Sequence, residues 1–404
     1  MLQPTRRAFL GALSACAAVA ALPHAAPPVA ALPLGQAERR LRITGMELIV
    51  VRVTGRTNWI FVRLATNDGI TGLGEASMGR RTDFPEMAPF FDLVRDRSPF
   101  EIEGYRQRGR AAAGGGRVPA TAFSALEQAQ WDLVGKALGA PVHELAGGAV
   151  RRELPAYANI NRATADRSPA GFAANARQAV ADGFGAIKAA PFDGFPPLDG
   201  PAGEVEAATE LGIACIEEMR AAIGPDVDLK IDVHSFFDVP LAIEVARRLE
   251  PQALSWYEEP VPPTDLESTK AIKDGIAQTM AGGEFLFGIE GFAPLCRERA
   301  VDIIMPDVKH CGGITELEKI ATVAELDGVL VSPHNPSGPV STMASAQVCA
   351  YLPNFDILEY QWNEAPWRGD LVEPPERFEN GILQVPDGPG IGCTLNDTLA
   401  REHA

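Results

Sequence analysis

The sequence predicts an α/β protein, a (β/α)8 barrel preceded by an N-terminal α+β capping domain, and three observations carry this. From residue 153 onward, eight short apolar runs each lead into a stretch of helical period. Before them, residues 43–54, 59–65 and 70–74 alternate like antiparallel strands, and a helical segment follows. Lastly, acidic residues and one histidine stand at the ends of successive barrel runs, in phase with the repeat.

Length and composition agree with two domains. The chain has 404 residues, 46% hydrophobic and 22% charged, as in ordinary globular proteins. Its formal charge of −17 excludes a nucleic-acid binder, which needs a basic surface.

The first thirty residues read as an export signal. Thr5-Arg6-Arg7-Ala8-Phe9-Leu10 opens an apolar run over residues 8–22, followed by small residues and prolines. The paired arginines before Phe9-Leu10 match a twin-arginine signal, with an ordinary secretory signal as the other reading. Leu13-Ser14-Ala15-Cys16 also has the form of a lipoprotein box, although the apolar run continues past Cys16. Export to the periplasm or the medium is expected. Cys215, Cys296, Cys311, Cys349 and Cys393 stand singly among apolar neighbours, so neither a zinc site nor a disulfide framework is expected.

The capping domain is expected over residues 41–150. Its strands are joined at Gly55-Arg56-Thr57-Asn58 and Asp68-Gly69, and its helix over 123–136 puts Phe123, Leu126, Ala129, Leu133 and Val134 on one face. The barrel is expected over 151–361, with strands at 154–160, 186–189, 229–233, 255–257, 279–283, 301–305, 329–332 and 355–358. Residues 191–203, rich in Pro and Gly, read as a loop insertion after the second strand. Residues 362–404 are expected to pack back on the capping domain.

Asp232, Glu258 and Glu284 recur every 26 residues, and Asp307, His334 and Glu359 continue at similar steps. One step is one βα unit, so the six should converge on the mouth at the carboxyl ends of the strands. Three carboxylates on neighbouring strands make a hard-oxygen site suited to Mg²⁺, and they would repel one another without a cation. Zn²⁺ fits less well, because no His or Cys belongs to that triplet.

The motifs Ile231-Asp232-Val233-His234, Tyr257-Glu258-Glu259-Pro260, Ala281-Gly282-Gly283-Glu284, Pro306-Asp307 with Gly312-Gly313-Ile314-Thr315, and Ser332-Pro333-His334 together resemble the enolase superfamily, in its mandelate-racemase branch. Residues 58–75 and 124–148 resemble that family's capping domain. The resemblance implies that Asp232, Glu258 and Glu284 hold Mg²⁺, that Asp307 orients His334 as a base, and that Glu359 hydrogen-bonds near the substrate. It also implies abstraction of the proton next to a carboxylate, with the cation stabilising the enediolate.

Three positions discriminate within the family. Asp307 stands where the muconate-lactonizing and dipeptide-epimerase branch resembles Lys. Lys188-Ala189-Ala190 keeps a lysine to polarise the carboxylate but has Ala190 where mandelate racemase carries a second base. His234, two residues past Asp232, should share its face of the strand, as the general-acid His does in galactonate-type acid-sugar dehydratases. A hydrogen-bonded strand-end histidine is the plainer reading of His234. The expected reaction is dehydration of an aldonic or aldaric acid to a 2-keto-3-deoxy acid. A one-base epimerase or cycloisomerase on the same site is the alternative, and a periplasmic solute-binding protein is the remote one. Arg80, Arg81 and Trp362 are candidate substrate contacts, although the arginines read equally as solvated surface and Trp362 as packing between domains. Expected partners are a small hydroxy acid, the twin-arginine machinery and further copies of this chain.

Overall fold

The computed structural model describes Gly35 and residues 40–404; the export signal and Cys16 lie outside the described residues. Strands β1 (Ile43–Arg52), β2 (Asn58–Thr66) and β3 (Thr71–Glu75) form an antiparallel sheet in that order. Helices α1 (Met87–Asp92), α2 (Ile102–Ala113), α3 (Arg117–Leu138) and α4 (Val142–Leu145) follow. The expected apolar stripe of α3 is buried, and so is most of its opposite face, because the helix is sandwiched between this sheet and the barrel. Packing against β3 requires glycine. A Cβ on Gly72 or Gly74 would stand 2.2 Å from the Ala129 carbonyl oxygen or 2.0 Å from that of Ala125.

The barrel strands are β4 (Glu153–Asn159), β5 (Ala186–Ala189), β6 (Asp228–Asp232), β7 (Trp256–Glu258), β8 (Met280–Gly282), β9 (Ile303–Ile304), β10 (Leu330–Val331) and β11 (Leu358–Gln361). They are parallel, and β11 pairs with β4. A bridge between Val331 and Phe355 completes the ring between β10 and β11. Seven helices cover the outside: α5 (Pro169–Ala181), α6 (Ala202–Ile223), α7 (Val239–Arg248), α8 (Leu266–Gly275), α9 (Gly288–Arg297), α10 (Ile314–Leu326) and α11 (Pro339–Cys349). Helices α5, α7 and α8 begin at Ser168, Asp238 and Asp265, whose side chains accept from the backbone N–H three residues on.

Strand alternation divides the barrel residues into two sets. Ile187, Leu229, Ile231, Ile304 and Val331 pack outward in the main apolar core, with residues of the helices. Tyr157, Ala186, Trp256, Ala281, Ile303 and Met305 form a separate cluster in the lumen. One pleat further along the same faces come Asn159, Lys188, Asp232, Glu258 and Asp307, all buried. The lumen is therefore mainly apolar below, apart from buried Lys230 with Nζ 4.3 Å above the Trp256 ring, and charged at the mouth.

One expectation is corrected. The eighth strand is not 355–358 but Leu358–Gln361, so Glu359 lies inside it; Phe355 supplies only the bridge. Residues 362–404 lie against both domains. Strands β12 (Val372–Glu373) and β15 (Thr394–Leu395) pair with each other, while β13 (Phe378–Glu379) and β14 (Ile382–Gln384) form a hairpin added to the first half of β4. The segment meets the capping domain at several points: Trp367 stands edge-on to Trp59 at 5.4 Å, Gly390 bridges to Pro141, Ile391 N–H donates to Asp132 at 2.9 Å, and α12 (Asp397–Glu402) packs on β1 with Asp397 paired to Arg63. Among the described residues no helix is long and apolar enough to cross a membrane.

Candidate active site

A cavity of about 360 Å³ lies at the mouth of the barrel beneath the capping domain. Lys188, Asp232, His234, Glu284, Lys309, His310 and His334 line its floor, and Arg56, Thr57, Ser77, Met78, Gly79 and Arg117 its roof. Two loops of the cap thus face the barrel. Their attachment comes from buried carboxylates: Glu127 of α3 accepts from the N–H groups of Ile314 and Thr315 at 2.7 and 2.9 Å, and Glu75 of β3 from those of Gly338 and Ser341 at 2.7 and 2.8 Å. Each holds the start of a barrel helix, where free N–H groups favour a carboxylate.

His334 lies in the loop after β10. Its Nδ1 is 2.7 Å from Asp307 Oδ2, and its Nε2 is 3.1 Å from Glu284 Oε2. Burial disfavours charge on Asp307, but Lys309, His310 and His334 outweigh it and hold the carboxyl below its usual range. Asp307 is therefore an acceptor, and Nδ1 of His334 donates. Burial opposes the imidazolium of His334, while Glu284, Glu359 and Asp307 raise its pKa.

Lys188 is buried and surrounded by carboxylates, with Nζ 2.7 Å from Glu258, 3.2 Å from Glu359 and 3.7 Å from Asp232. These keep it protonated against the cost of burial. Glu258 also accepts from Trp256 Nε1 at 3.0 Å. Among the described residues, two groups bring their ligand atoms within 4.8 Å of one another, Asp232 with His234 and Glu284, and Asp307 with His310 and His334. Glu258 turns its oxygens to Lys188 and Trp256, beside the first group. Charge still points to a cation. Five buried carboxylates, Asp232, Glu258, Glu284, Asp307 and Glu359, face two buried ammonium groups, Lys188 and Lys309. Such an excess of buried carboxylates fits a divalent hard cation.

His234 reaches the cavity by a different route from the expected one. Strand β6 ends at Asp232, and His234 has φ +51°, so its direction is not set by strand alternation. Its Nε2 lies 3.0 Å from Asp232 Oδ2 and its Nδ1 2.5 Å from Asp193 Oδ1. Burial works against its charge, but Asp232 and Asp193 push it up to about 12. A cation shared by Asp232 would remove much of that support.

Sequence reasoning missed four residues here. Asp193 lies in the Pro/Gly-rich loop after β5, which carries no periodic signal. Lys309 puts Nζ 3.1 Å from Asp307, and neutral His310, pulled down to about 4 by burial, contacts the Glu284 carbonyl at 2.6 Å. Buried Glu259 accepts from the Gly283 N–H at 2.9 Å and is pushed up to about 7 by burial and Glu284. The Pro306-Asp307 and Glu258-Glu259 motifs adjoin three of them and were the available signal.

Three expected substrate contacts lie elsewhere. Arg80 is exposed and does not line the cavity, and Arg81 pairs with Glu86 at 2.8 Å and covers the Phe84 ring. Trp362 is buried outside the barrel, donating to Asp182 at the end of α5 at 2.9 Å. Tyr360 faces outward too, stacked on Phe378 and Phe184. The cap arginines at the cavity are Arg56 and Arg117, the latter 4.4 Å above the Phe285 ring.

A barrel mouth with a carboxylate cluster, an Asp–His pair and a lysine, closed by an α+β cap, defines an enzyme of the enolase-like class. The chain belongs to the mandelate racemase / muconate lactonizing enzyme family: that family's N-terminal domain profile matches residues 44–147, and the enolase C-terminal domain-like profile matches 171–399. It is 33% identical over 371 residues to a D-xylonate dehydratase of Haloferax volcanii, covering 87% of this chain and 86% of that one. It is 34% identical to a D-gluconate dehydratase of Thermoproteus tenax (85% and 69% covered) and 30% to a D-galactarolactone cycloisomerase of Agrobacterium fabrum (85% and 90%). The crystal structure of a mandelate racemase/muconate lactonizing enzyme from Sulfitobacter superposes with a TM-score of 0.81 at 29% identity, over 90% of this chain and 95% of that one.

Proposed function

We propose that this chain is a Mg²⁺-dependent dehydratase of an acid sugar, an aldonic or aldaric acid. The observation that carries the reading is the pair of imidazoles, His334 and His234, each with Nε2 turned to the Asp232–Glu284 carboxylates and Nδ1 held by an outer aspartate. The dehydratase relatives support it as well.

Asp232, Glu258 and Glu284 would hold the cation. When bound, Mg²⁺ supplies positive charge to the substrate carboxylate as it gains electron density. His334 Nε2 takes the α-proton, and the C–H electron pair delocalises into the carboxylate beside Lys188. Asp307 stabilises the imidazolium that results. His234 then gives a proton to the β-hydroxyl, the C–O bond breaks, and water leaves. The enol takes up a proton at C3, releases that of its C2 hydroxyl and becomes a 2-keto-3-deoxy acid. Ala190 offers no second base on the strand of Lys188.

Incubating the purified protein with Mg²⁺ and a panel of aldonic and aldaric acids, with a keto-acid readout, tests the proposal. A 2-keto-3-deoxy product supports it. If the protein is also given the corresponding lactones, their isomerisation without keto acid favours the second reading, a one-base cycloisomerase, which the Agrobacterium relative supports. Residues 1–30 are proposed to direct export by the twin-arginine route. Replacing Arg6 and Arg7 by Lys should then retain the protein in the cytoplasmic fraction.

A further inference from the structure

The site contains a second His–carboxylate pair that strand-end reasoning does not reveal. His234 Nδ1 and Asp193 Oδ1 are 2.5 Å apart. The other oxygen, Oδ2, accepts from Asn161 Nδ2 at 2.7 Å and lies 3.6 Å from Arg167. Arg167 in turn bonds Asn161 Oδ1 at 2.6 Å and the Ala190 carbonyl at 2.5 Å. Asp193 is thus tethered on one oxygen and aims the other at the imidazole.

Both loops are rigidly placed. Phe192 and Phe195, flanking Asp193, pack edge-on against Phe237 of the His234 loop, with ring centroids 4.9 and 5.1 Å away. A Cβ at Gly212 of α6 would come within 2.1 Å of the Phe192 ring, so that ring is seated against bare helix backbone. On the other side, Ser235 N–H donates to the Glu259 carbonyl at 2.7 Å and Phe237 N–H to that of Pro260 at 3.0 Å. These contacts hold His234 in its left-handed conformation, which a non-glycine residue adopts at a cost.

We propose that Asp193 is the positioning residue for His234, fixing Nδ1 as the donor and presenting Nε2 to the departing hydroxyl. The proposal rests on the dehydratase reading for its role, but the pair itself stands on geometry. Asp232 is to share its charge with a cation, so Asp193 is the carboxylate free to serve the imidazole alone. The pattern repeats that of Asp307 and His334 across the cavity, giving one oriented base and one oriented acid. In Asp193→Asn the side-chain oxygen is claimed by the Asn161 amide. The new NH₂ then faces Nδ1, which must become an acceptor.

Two measurements test this. In ¹⁵N-histidine-labelled holoenzyme with Mg²⁺, wild type should show an Nδ1-bound proton that His234→Asn and Asp193→Asn both remove, while the His334 signal persists. Survival of that proton in Asp193→Asn overturns the pairing, whatever the substrate. In D₂O, with D-xylonate, D-gluconate and D-galactonate as probes, Asp193→Asn should lower keto-acid formation by about 10²-fold, the scale of a general acid, and leave α-deuterium exchange near the wild-type rate. Adding His234→Asn to Asp193→Asn should cost no more than His234→Asn alone. Equal loss of exchange and elimination would make Asp193 merely structural and sink the positioning role. If wild type forms no keto acid from these acids, the dehydratase reading fails on them, and the spectroscopic result still decides the pair.

Discussion

The ring of His334 stands between two carboxylates, with Nδ1 2.7 Å from Asp307 Oδ2 and Nε2 3.1 Å from Glu284 Oε2. One side orients the imidazole and the other places it at the edge of the proposed cation site. The nitrogen that would take the proton is therefore the one nearest the group that would neutralise the resulting charge.

Base and acid can be separated. His334→Asn should abolish exchange of the α-proton in D₂O, and with it all turnover. His234→Asn should stop keto-acid formation and retain exchange, since proton removal precedes loss of the hydroxyl. NMR of a turned-over substrate reads both; exchange lost in His234→Asn but kept in His334→Asn would reverse the roles.

Asp307 is expected to act through His334 and to leave the substrate itself untouched. Asp307→Asn keeps the shape but removes the charge that Nδ1–H and Lys309 share. The expected result is a fall in kcat of about 10²–10⁴-fold with KM changed little. A large rise in KM at constant kcat would show that Asp307 serves binding.

Cation removal should be reversible. Chelation should abolish turnover and lower Tm, and Mg²⁺ should restore both, since a ligand of the native state alone stabilises it. Glu258→Gln should weaken Mg²⁺ restoration and, through the lost Lys188 ion pair, lower Tm further. Full activity of the chelated protein would reject the site.

Glu75 joins cap and barrel. It accepts from Ser77 Oγ at 2.6 Å and from the Gly338 and Ser341 N–H groups at the start of α11. Glu75→Ala leaves these buried donors unpaired and should cost about 1–3 kcal/mol of stability. Because Ser77 lies in a roof loop, KM should rise too. Glu75→Gln keeps an acceptor and should lose less. Denaturant titration and steady-state kinetics on both variants check this.

The sequence alone determined the barrel, its cap and most of the charged mouth. In a (β/α)8 fold, distance along the chain becomes angle around the ring, so a 26-residue recurrence of Asp232, Glu258 and Glu284 reads directly as convergence. Tertiary structure decided what that repeat does not govern. Asp193 arrives through an aromatic contact between two irregular loops, and His234 through a backbone conformation held by the neighbouring chain. Arg56 and Arg117, not Arg80 and Arg81, face the cavity, because the cap is docked by Glu75 and Glu127 onto barrel helices far away in sequence. Trp362 turns outward because β11 runs on to Gln361, so alternation from inward-facing Glu359 puts Tyr360 and Trp362 on the helix side. Periodic elements carry their direction in the sequence. Loop side chains take theirs from whatever packs against them, and that is known only once the chain has closed.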